Sequence, residues 1–240
     1  MNTGTILPLQ LDGLAFEAVG KRLIDGITLT LSGGPRTVIL GPNGAGKSLL
    51  LRLCHGLLEP TVGSVRWAGP GGAGNGRRQA MVFQHPVMLR RSAAANIDYA
   101  LRLKRIPRLL RRARIREVLD DTGLAGLAHR NAASLSIGEQ QRLALARAWA
   151  AAPEVLFLDE PTANLDPAAT RAIEEVIAAI DLTGTKIVMT THDLGQARRL
   201  ADEIIFLHRG RLLEQRPAAE FFAKPLTPEA AAFIEGRLLW

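Results

Sequence analysis

The stretch that decides the fold is "GPNGAGKS", Gly41–Ser48, which matches the pattern G-x-x-x-x-G-K-[ST] at every fixed position. It follows "TVIL" (37–40), which is typical of a short buried strand, and it runs into the leucine-rich segment "SLLLRLCHGLL" (48–58), which predicts a helix. Glycines let successive backbone N–H groups turn inward around phosphate oxygens, and the helix N-terminus adds its dipole. The sequence therefore predicts a nucleoside triphosphate site on an α/β fold.

Within this loop, Lys47 is expected to reach the β- and γ-phosphate oxygens, and Ser48 is expected to ligate Mg²⁺. The alternative interpretation is a glycine-rich turn that merely caps a helix, but the strand before it and the helix after it favour the phosphate site. The residues predicted to hold the triphosphate are Gly41, Pro42, Asn43, Gly44, Ala45, Gly46, Lys47 and Ser48.

A second polar site is predicted where "VLFLDEP" (155–161) ends. Its apolar residues predict a buried central strand, and Asp159 lies at the carboxyl end, where parallel sheets gather ligands. A carboxylate there suits Mg²⁺ through water. Glu160 is expected to polarise an attacking water as general base. The alternative for this Asp-Glu pair is a solvated turn, which the phosphate loop disfavours.

The rest of the chain predicts one domain, 1–240, with an inserted subdomain. Met1 to Leu9 is predicted to be disordered, "LDGLAF" and "ITLTLSG" predict an antiparallel strand pair, and "PGGAGNGRR" predicts a surface loop between two further strands. Residues 86–134 lack strand signals and predict an α-helical subdomain interrupted at Pro107. Alternating strands and helices then return, which predicts a mostly parallel core sheet.

The octet "LSIGEQQR" (135–142) opens a long alanine-rich helix. Ser136 and Glu139 form S-x-x-E, a capping box that could start any helix. The position of the octet argues for more than a helix cap, because the octet lies directly after the helical insertion and shortly before the Asp159-Glu160 pair.

The order of these motifs resembles the nucleotide-binding subunits of ABC transporters over nearly the whole chain. The matching features are the phosphate loop, Gln84 after "MVF", the insertion, "LSIGE" in place of the common LSGGQ, "LFLDEP", "ANLD" and His192 in "TTHD". The resemblance implies a P-loop NTPase of the ABC type, with a mostly parallel core sheet, an antiparallel β piece near the N-terminus and an inserted α-helical subdomain. It also implies ATP hydrolysis with Mg²⁺, coupled to transport.

The same resemblance implies a role for the octet. In that family two copies pair head to tail, so Ser136, Gly138 and Glu139 would meet the γ-phosphate held by the other copy. Ile137 replaces the usual first glycine and Glu139 the usual glutamine, which could alter closure.

Other roles follow from the resemblance by position. Gln84 is expected to contact Mg²⁺ or the lytic water, and His192 to hydrogen-bond the γ-phosphate; each could instead be an ordinary surface or structural side chain. Asp166 is expected at the dimer seam, or as an N-cap before Pro167, or as both. Phe16 is the nearest candidate to stack on adenine.

Composition limits the setting. The single Cys54 excludes an internal disulfide and lies in an apolar context, no stretch has the length of a membrane-spanning helix, and a basic signal-peptide region is lacking. These features predict a cytoplasmic protein.

The net charge is +7, and eight cations lie between Arg102 and Arg116 without an acidic residue. They are interpreted as a wet amphipathic surface or as a contact with anionic lipid beside a membrane partner. Nucleic acid is not expected, because no aromatic lies among them.

The transported substrate and the partner proteins are inferred from the resemblance alone. A separate ATPase chain resembles importer subunits, which implies polytopic permease subunits, an indirect substrate-binding protein and a peripheral location on the inner face of the membrane. Residues 83–104 and 230–240 are similar to ATPases of tungstate-type oxyanion importers. Phosphate, molybdate or amino-acid import stay open, as does an ABC-type ATPase without a membrane partner. A regulatory module without turnover is disfavoured by the presence of Glu160 and His192.

Overall fold

The computed structural model describes residues 4–72 and 78–237. It divides into two compact units: Met1–Gly76 with Lys186–Trp240, and Arg77–Thr185. Most of the predicted glycine-rich loop, 73–77, lies outside the described residues.

The strands are β1 (Leu9–Ala18), β2 (Lys21–Leu31), β3 (Thr37–Leu40), β4 (Val62–Trp67), β5 (Gln79–Val82), β6 (Val155–Asp159), β7 (Lys186–Thr190), β8 (Glu203–His208) and β9 (Arg211–Pro217). The α-helices are α1 (Lys47–His55), α2 (Ala93–Leu103), α3 (Arg108–Asp121), α4 (Ile137–Ala150), α5 (Pro167–Leu182), α6 (Leu194–Leu200), α7 (Ala218–Ala223) and α8 (Pro228–Ile234).

The antiparallel piece near the N-terminus is a sheet in the order β2-β1-β4. The prediction of disorder over Met1 to Leu9 is wrong for its last residues. Ile6 and Leu7 are buried and Leu9 begins β1, because the Ile6 carbonyl accepts a hydrogen bond from the Gly69 N–H and the Pro8 carbonyl accepts one from the Ala68 N–H.

The core sheet of the first unit is mostly parallel. Strand β3 lies between β7 and β8 and is parallel to both, while β9 pairs with β8 antiparallel. All four residues of β3 are buried, so this strand is the centre of the unit. The predicted setting of Cys54 is confirmed, since the thiol is buried on α1.

In the second unit, β5 pairs with β6 in parallel, and all five residues of β6 are buried. Helix α4 packs against α2, α3 and α5. The insertion predicted at 86–134 contains α2, α3 and two 3-10 turns at Ala125–Leu127 and Ala132–Ser134; its boundaries and the single-domain organisation stay predictions. The fold class is confirmed.

Two short helices, α7 and α8, follow the last strand and were not predicted, since six or seven residues show little periodicity. Glu214 anchors them from β9: its buried carboxylate accepts hydrogen bonds from the Leu226 N–H at 2.9 Å and from the Thr227 N–H and hydroxyl, both at 2.7 Å. Thr227 in turn caps α8.

Among the described residues, no helix combines the length and the apolar composition needed to cross a membrane.

Candidate nucleotide site

The phosphate loop is shaped by glycines that have no room for a side chain. A Cβ on Gly41 would overlap the Leu207 carbonyl oxygen, and a Cβ on Gly46 would lie 2.9 Å from Ile24 Cδ1. Gly46 also has a φ of 99°, which L-residues rarely adopt. The Gly210 N–H, in the β8–β9 turn, donates to the Ala45 carbonyl at 3.0 Å. Backbone from β8 and the following turn therefore supports the loop, a contact that the motif itself did not reveal.

Lys47 places a positive charge inside this loop. It is only 5% exposed, and its Nζ donates to the carbonyls of Gly41 at 2.9 Å and Pro42 at 3.2 Å. Helix α1 begins at Lys47 without an acidic residue in its first turn and without a side-chain cap. The ammonium and the helix N-terminus together give the loop the positive charge and backbone donors that favour a phosphate anion. Ser48 follows within α1.

His192 is brought to the same edge of the sheet as the phosphate loop. Strands β3 and β7 are parallel, with Ile39 opposite Thr190. The loop therefore leaves β3 at the edge where His192 leaves β7. His192 is exposed, and its neighbour Asp193 caps α6 by accepting from the Gln196 N–H at 2.9 Å.

The second unit has a matching pair of strand ends. Val82 of β5 lies opposite Leu158 of β6. Gln84 follows β5 by two residues, and Asp159, 2% exposed, is the last residue of β6. The structure thus brings Gln84 and Asp159 to one edge of this strand pair.

Glu160 has an unusual backbone conformation, as does Asn164 four residues later. The φ of Glu160 is +43°, an uncommon value for a residue with a side chain. Its carbonyl accepts a hydrogen bond from the Ala163 N–H at 3.1 Å, which closes a turn directly after β6. Strained residues of this kind concentrate at functional sites, and no pattern in the sequence indicates the strain at Glu160.

The capping box at the start of α4 is confirmed. Ser136 Oγ accepts from the Glu139 N–H at 3.3 Å, and the Glu139 carboxylate accepts from the Ser136 N–H at 2.7 Å. The latter bond lowers the pKa of Glu139. The predicted N-cap role of Asp166 on α5 is also confirmed, with a bond from the Ala169 N–H at 2.9 Å.

Gly138 lets these two capped helices begin side by side. A Cβ at Gly138 would lie 3.0 Å from Ala169 Cβ, so a larger residue would push the first turns of α4 and α5 apart. The neighbouring Ile137 is 67% exposed. The Gly138–Ala169 contact was not predicted from the sequence. Its one sequence signal is a small residue, Ala169, in the first turn after Asp166.

Phe16 lies on β1 opposite Ile24 and is half-buried. Val19, at the β1–β2 turn, is fully exposed with a φ of +50°. The role of Phe16 with adenine stays a prediction, as do the individual roles of the other site residues.

Comparison with known proteins gives a consistent result. Residues 24–163 match the family model described as ABC transporter. The phosphate import ATP-binding protein PstB 2 of Natronomonas pharaonis is 36% identical, over 97% of this chain and 88% of that protein. The tungstate uptake system ATP-binding protein TupC of Peptoclostridium acidaminophilum is 39% identical, over 81% of this chain and 92% of that protein.

A solved structure, cbiO1 from Clostridium perfringens, described as part of the ABC transporter complex cbiONQ, superposes with a TM-score of 0.80 at 28% identity, covering 96% of this chain and 95% of that chain. These matches extend well beyond the phosphate loop. The chain therefore belongs to the ABC transporter family and is an ATPase of its ATP-binding subunit class.

Proposed function

We propose that this chain is the ATP-hydrolysing subunit of an import system that energises uptake of an inorganic oxyanion, such as tungstate, across the cytoplasmic membrane. The observation that carries the proposal is that one chain holds both a complete phosphate loop with a buried Lys47 and a strained Glu160 at the end of a buried strand. The first feature supports binding of ATP and the second supports turnover.

ATP is held through its phosphates by Gly41–Ser48. The Lys47 ammonium is desolvated, which strengthens its attraction for phosphate oxygens. Ser48, Gln84 and Asp159 offer the hydroxyl, amide and carboxylate oxygens that Mg²⁺ prefers and would hold the ion, which would supply positive charge against the phosphates. Phe16 is the proposed contact for the base.

Hydrolysis uses Glu160 as general base. Its carboxylate takes a proton from the water that attacks the γ-phosphorus, and the P–O bond to ADP breaks. His192 hydrogen-bonds the γ-phosphate and orients that water, and Lys47 stabilises the charge that spreads over the γ-oxygens.

A second copy completes each site. The N–H groups of Ile137 and Gly138, the first two helical amides of α4, have no acceptor within their helix. Ser136 Oγ accepts from the Glu139 N–H, and its hydroxyl also interacts with the Glu139 carboxylate, so an external acceptor would turn the hydroxyl proton away from that carboxylate. We assign that acceptor to the γ-phosphate held by a second copy paired head to tail, with Glu139 and Asp166 at the seam.

The membrane partner and the cargo are proposed from the relatives. Since cbiO1 is part of a transporter complex, we propose that this chain binds polytopic permease subunits on the inner face of the membrane, with a substrate-binding protein acting indirectly. Two relatives take part in the import of phosphate and tungstate, both tetrahedral oxyanions, while others of similar identity serve import of Fe(3+) ions and methionine. From the first two we propose the oxyanion class. The alternatives are import of phosphate, molybdate or an amino acid, or a role without a membrane partner.

The test combines purification with uptake. The tagged chain, isolated from its native membranes, is expected to retain a polytopic membrane protein and to hydrolyse ATP, whereas the Glu160→Gln chain retains the partner without turnover. Cells lacking the gene are expected to lose tungstate uptake and to keep phosphate and amino-acid uptake. Purification without any membrane protein would contradict the importer role. Loss of phosphate uptake in place of tungstate uptake would contradict tungstate as the cargo, and loss of amino-acid uptake alone would contradict the oxyanion assignment.

A further inference from the structure

The cationic stretch Arg102–Arg116 is the strongest charged feature that the proposed function does not use. It holds eight Lys and Arg residues and no acidic residue. It covers the end of α2, the turn 104–107 and the first nine residues of α3.

Two of the arginines on α3 have structural partners that explain them. Arg111 donates to Asp98 Oδ1 at 2.7 Å and to the Ile106 carbonyl at 2.8 Å. Arg114 donates to the Trp149 carbonyl at 3.1 Å, and its guanidinium lies 5.4 Å from the Trp149 ring centre. These contacts fix α3 to α2 and α4, so folding of the unit accounts for both charges.

Four other arginines have no such explanation. Arg105, Arg108, Arg112 and Arg116 are exposed and, counted over 4–72 and 78–237, none of the four forms a salt bridge or a side-chain hydrogen bond. The last three are spaced by four residues and lie on one side of α3. Like charges at this spacing destabilise a helix slightly, so folding of the unit does not account for the arrangement.

Exposed leucines accompany these charges. Leu109 and Leu110, in the first turn of α3, are 81% and 61% exposed, and Leu103 at the end of α2 is 64% exposed. Adjacent large apolar side chains on a surface indicate a contact with something other than water. We call Arg105, Arg108, Leu109, Leu110, Arg112 and Arg116 the basic surface.

The neighbouring acidic groups do not neutralise the basic surface. Asp98 is engaged by Arg102 at 2.9 Å and by Arg111, and Glu117 is engaged by Arg114 at 2.9 Å. Asp120 and Asp121 are the last two residues of α3, at the end opposite Arg108. The first two turns of α3 are therefore positive.

We infer that the basic surface binds the headgroup layer of an anionic lipid bilayer. Guanidinium groups form paired hydrogen bonds with phosphate oxygens, and clustered cations are attracted to anionic leaflets. The two leucines fit the apolar boundary below the headgroups. An acidic segment of a permease would satisfy the arginines and leave the leucines exposed. This inference goes beyond the proposed function, which needs only a permease contact.

The test is flotation of the purified full chain with vesicles, without any permease. Vesicles of phosphatidylcholine and phosphatidylglycerol in equal parts are expected to bind the chain, and pure phosphatidylcholine vesicles are not. The variant R105Q/R108Q/R112Q/R116Q is expected to lower the partition coefficient by roughly two to three orders of magnitude, and high salt to do the same. L109S/L110S is expected to lower it by about tenfold.

The matched control is R52Q/R66Q/R171Q/R237Q, which removes the same charge from exposed arginines elsewhere in the chain and is expected to bind like the original. Thermal unfolding checks that all variants fold. We expect them to, because the replaced side chains are exposed. Absence of binding to anionic vesicles, equal binding by the basic-surface variant, or equal loss in the control would each overturn the inference. So would binding that appears only when a permease is present. ATP turnover of the chain is measured separately, so failure here leaves the proposed function standing.

Discussion

The phosphate loop and the start of α4 both present a helix N-terminus, yet they are built in opposite ways. The loop depends on glycines packed against distant backbone, as at Gly41 and Leu207, and it holds its own cation, Lys47. The start of α4 is capped by its own residues, Ser136 and Glu139, and exposes Ile137. The loop combines its own cation with a helix N-terminus within one chain, whereas the start of α4 is a stable helix end whose proposed phosphate comes from a second copy.

The largest expected effect is at the phosphate loop, which is proposed to bind ATP before the start of α4 completes the site. Lys47→Ala removes the buried ammonium, so kcat/KM for ATP is expected to fall about 10⁴-fold, because both ground-state and transition-state contacts are lost. Fluorescent ATP-analogue titration should show weak binding by the monomer. Unchanged affinity would mean that the loop holds phosphate without this charge.

The second expected effect is confined to turnover. Asp and Asn both cap helices well, so Ser136→Asp and Ser136→Asn should each fold, and only the former places a carboxylate toward an incoming phosphate. Turnover is expected to fall about 10²–10³-fold for S136D and much less for S136N, while ATP-analogue affinity of the monomer stays the same. Equal turnover in the two variants would argue against a phosphate at this helix.

A third effect concerns stability of the loop. Gly41→Ala forces a Cβ into the Leu207 carbonyl and is expected to lower the free energy of unfolding by about 3 kcal/mol. Gly44→Ala is the matched control: φ is 80° and nothing lies within 4 Å of the added Cβ, so only backbone strain of about 1 kcal/mol is expected. Urea denaturation measures the free energy of unfolding of both variants. Equal losses would contradict a steric conflict between the added Cβ and the Leu207 carbonyl.

The smallest effect concerns the cap of α4. The Ser136 N–H lowers the pKa of Glu139 below its ordinary 4.5, so the ionised cap stabilises the fold above pH 4.5 and this contribution is lost as pH falls through the lowered value. Glu139→Gln is expected to cost about 0.5 kcal/mol near neutral pH and nothing in acid, where the two chains should denature alike. A pH-independent difference would contradict the carboxylate cap.

Local chemistry made much of this predictable. The phosphate loop, the buried strand before Asp159, and the caps at Ser136 and Asp166 depend on neighbours within a few residues, so the sequence indicates them. Other features depend on residues brought together by folding. They are the strain at Glu160, the Gly138–Ala169 contact and the Gly41–Leu207 contact. The same holds for Ile6 and Glu214, whose burial is set by partners from other elements.

The most direct measurement mixes two inactive chains, K47A and S136D. If each site joins the loop of one copy to the α4 start of another, a mixed dimer contains one intact site, and random pairing restores about a quarter of the original ATPase activity. Each chain alone stays inactive. If mixing restores nothing while both chains remain folded, Ser136 acts within its own chain or not at all, and the head-to-tail dimer is contradicted.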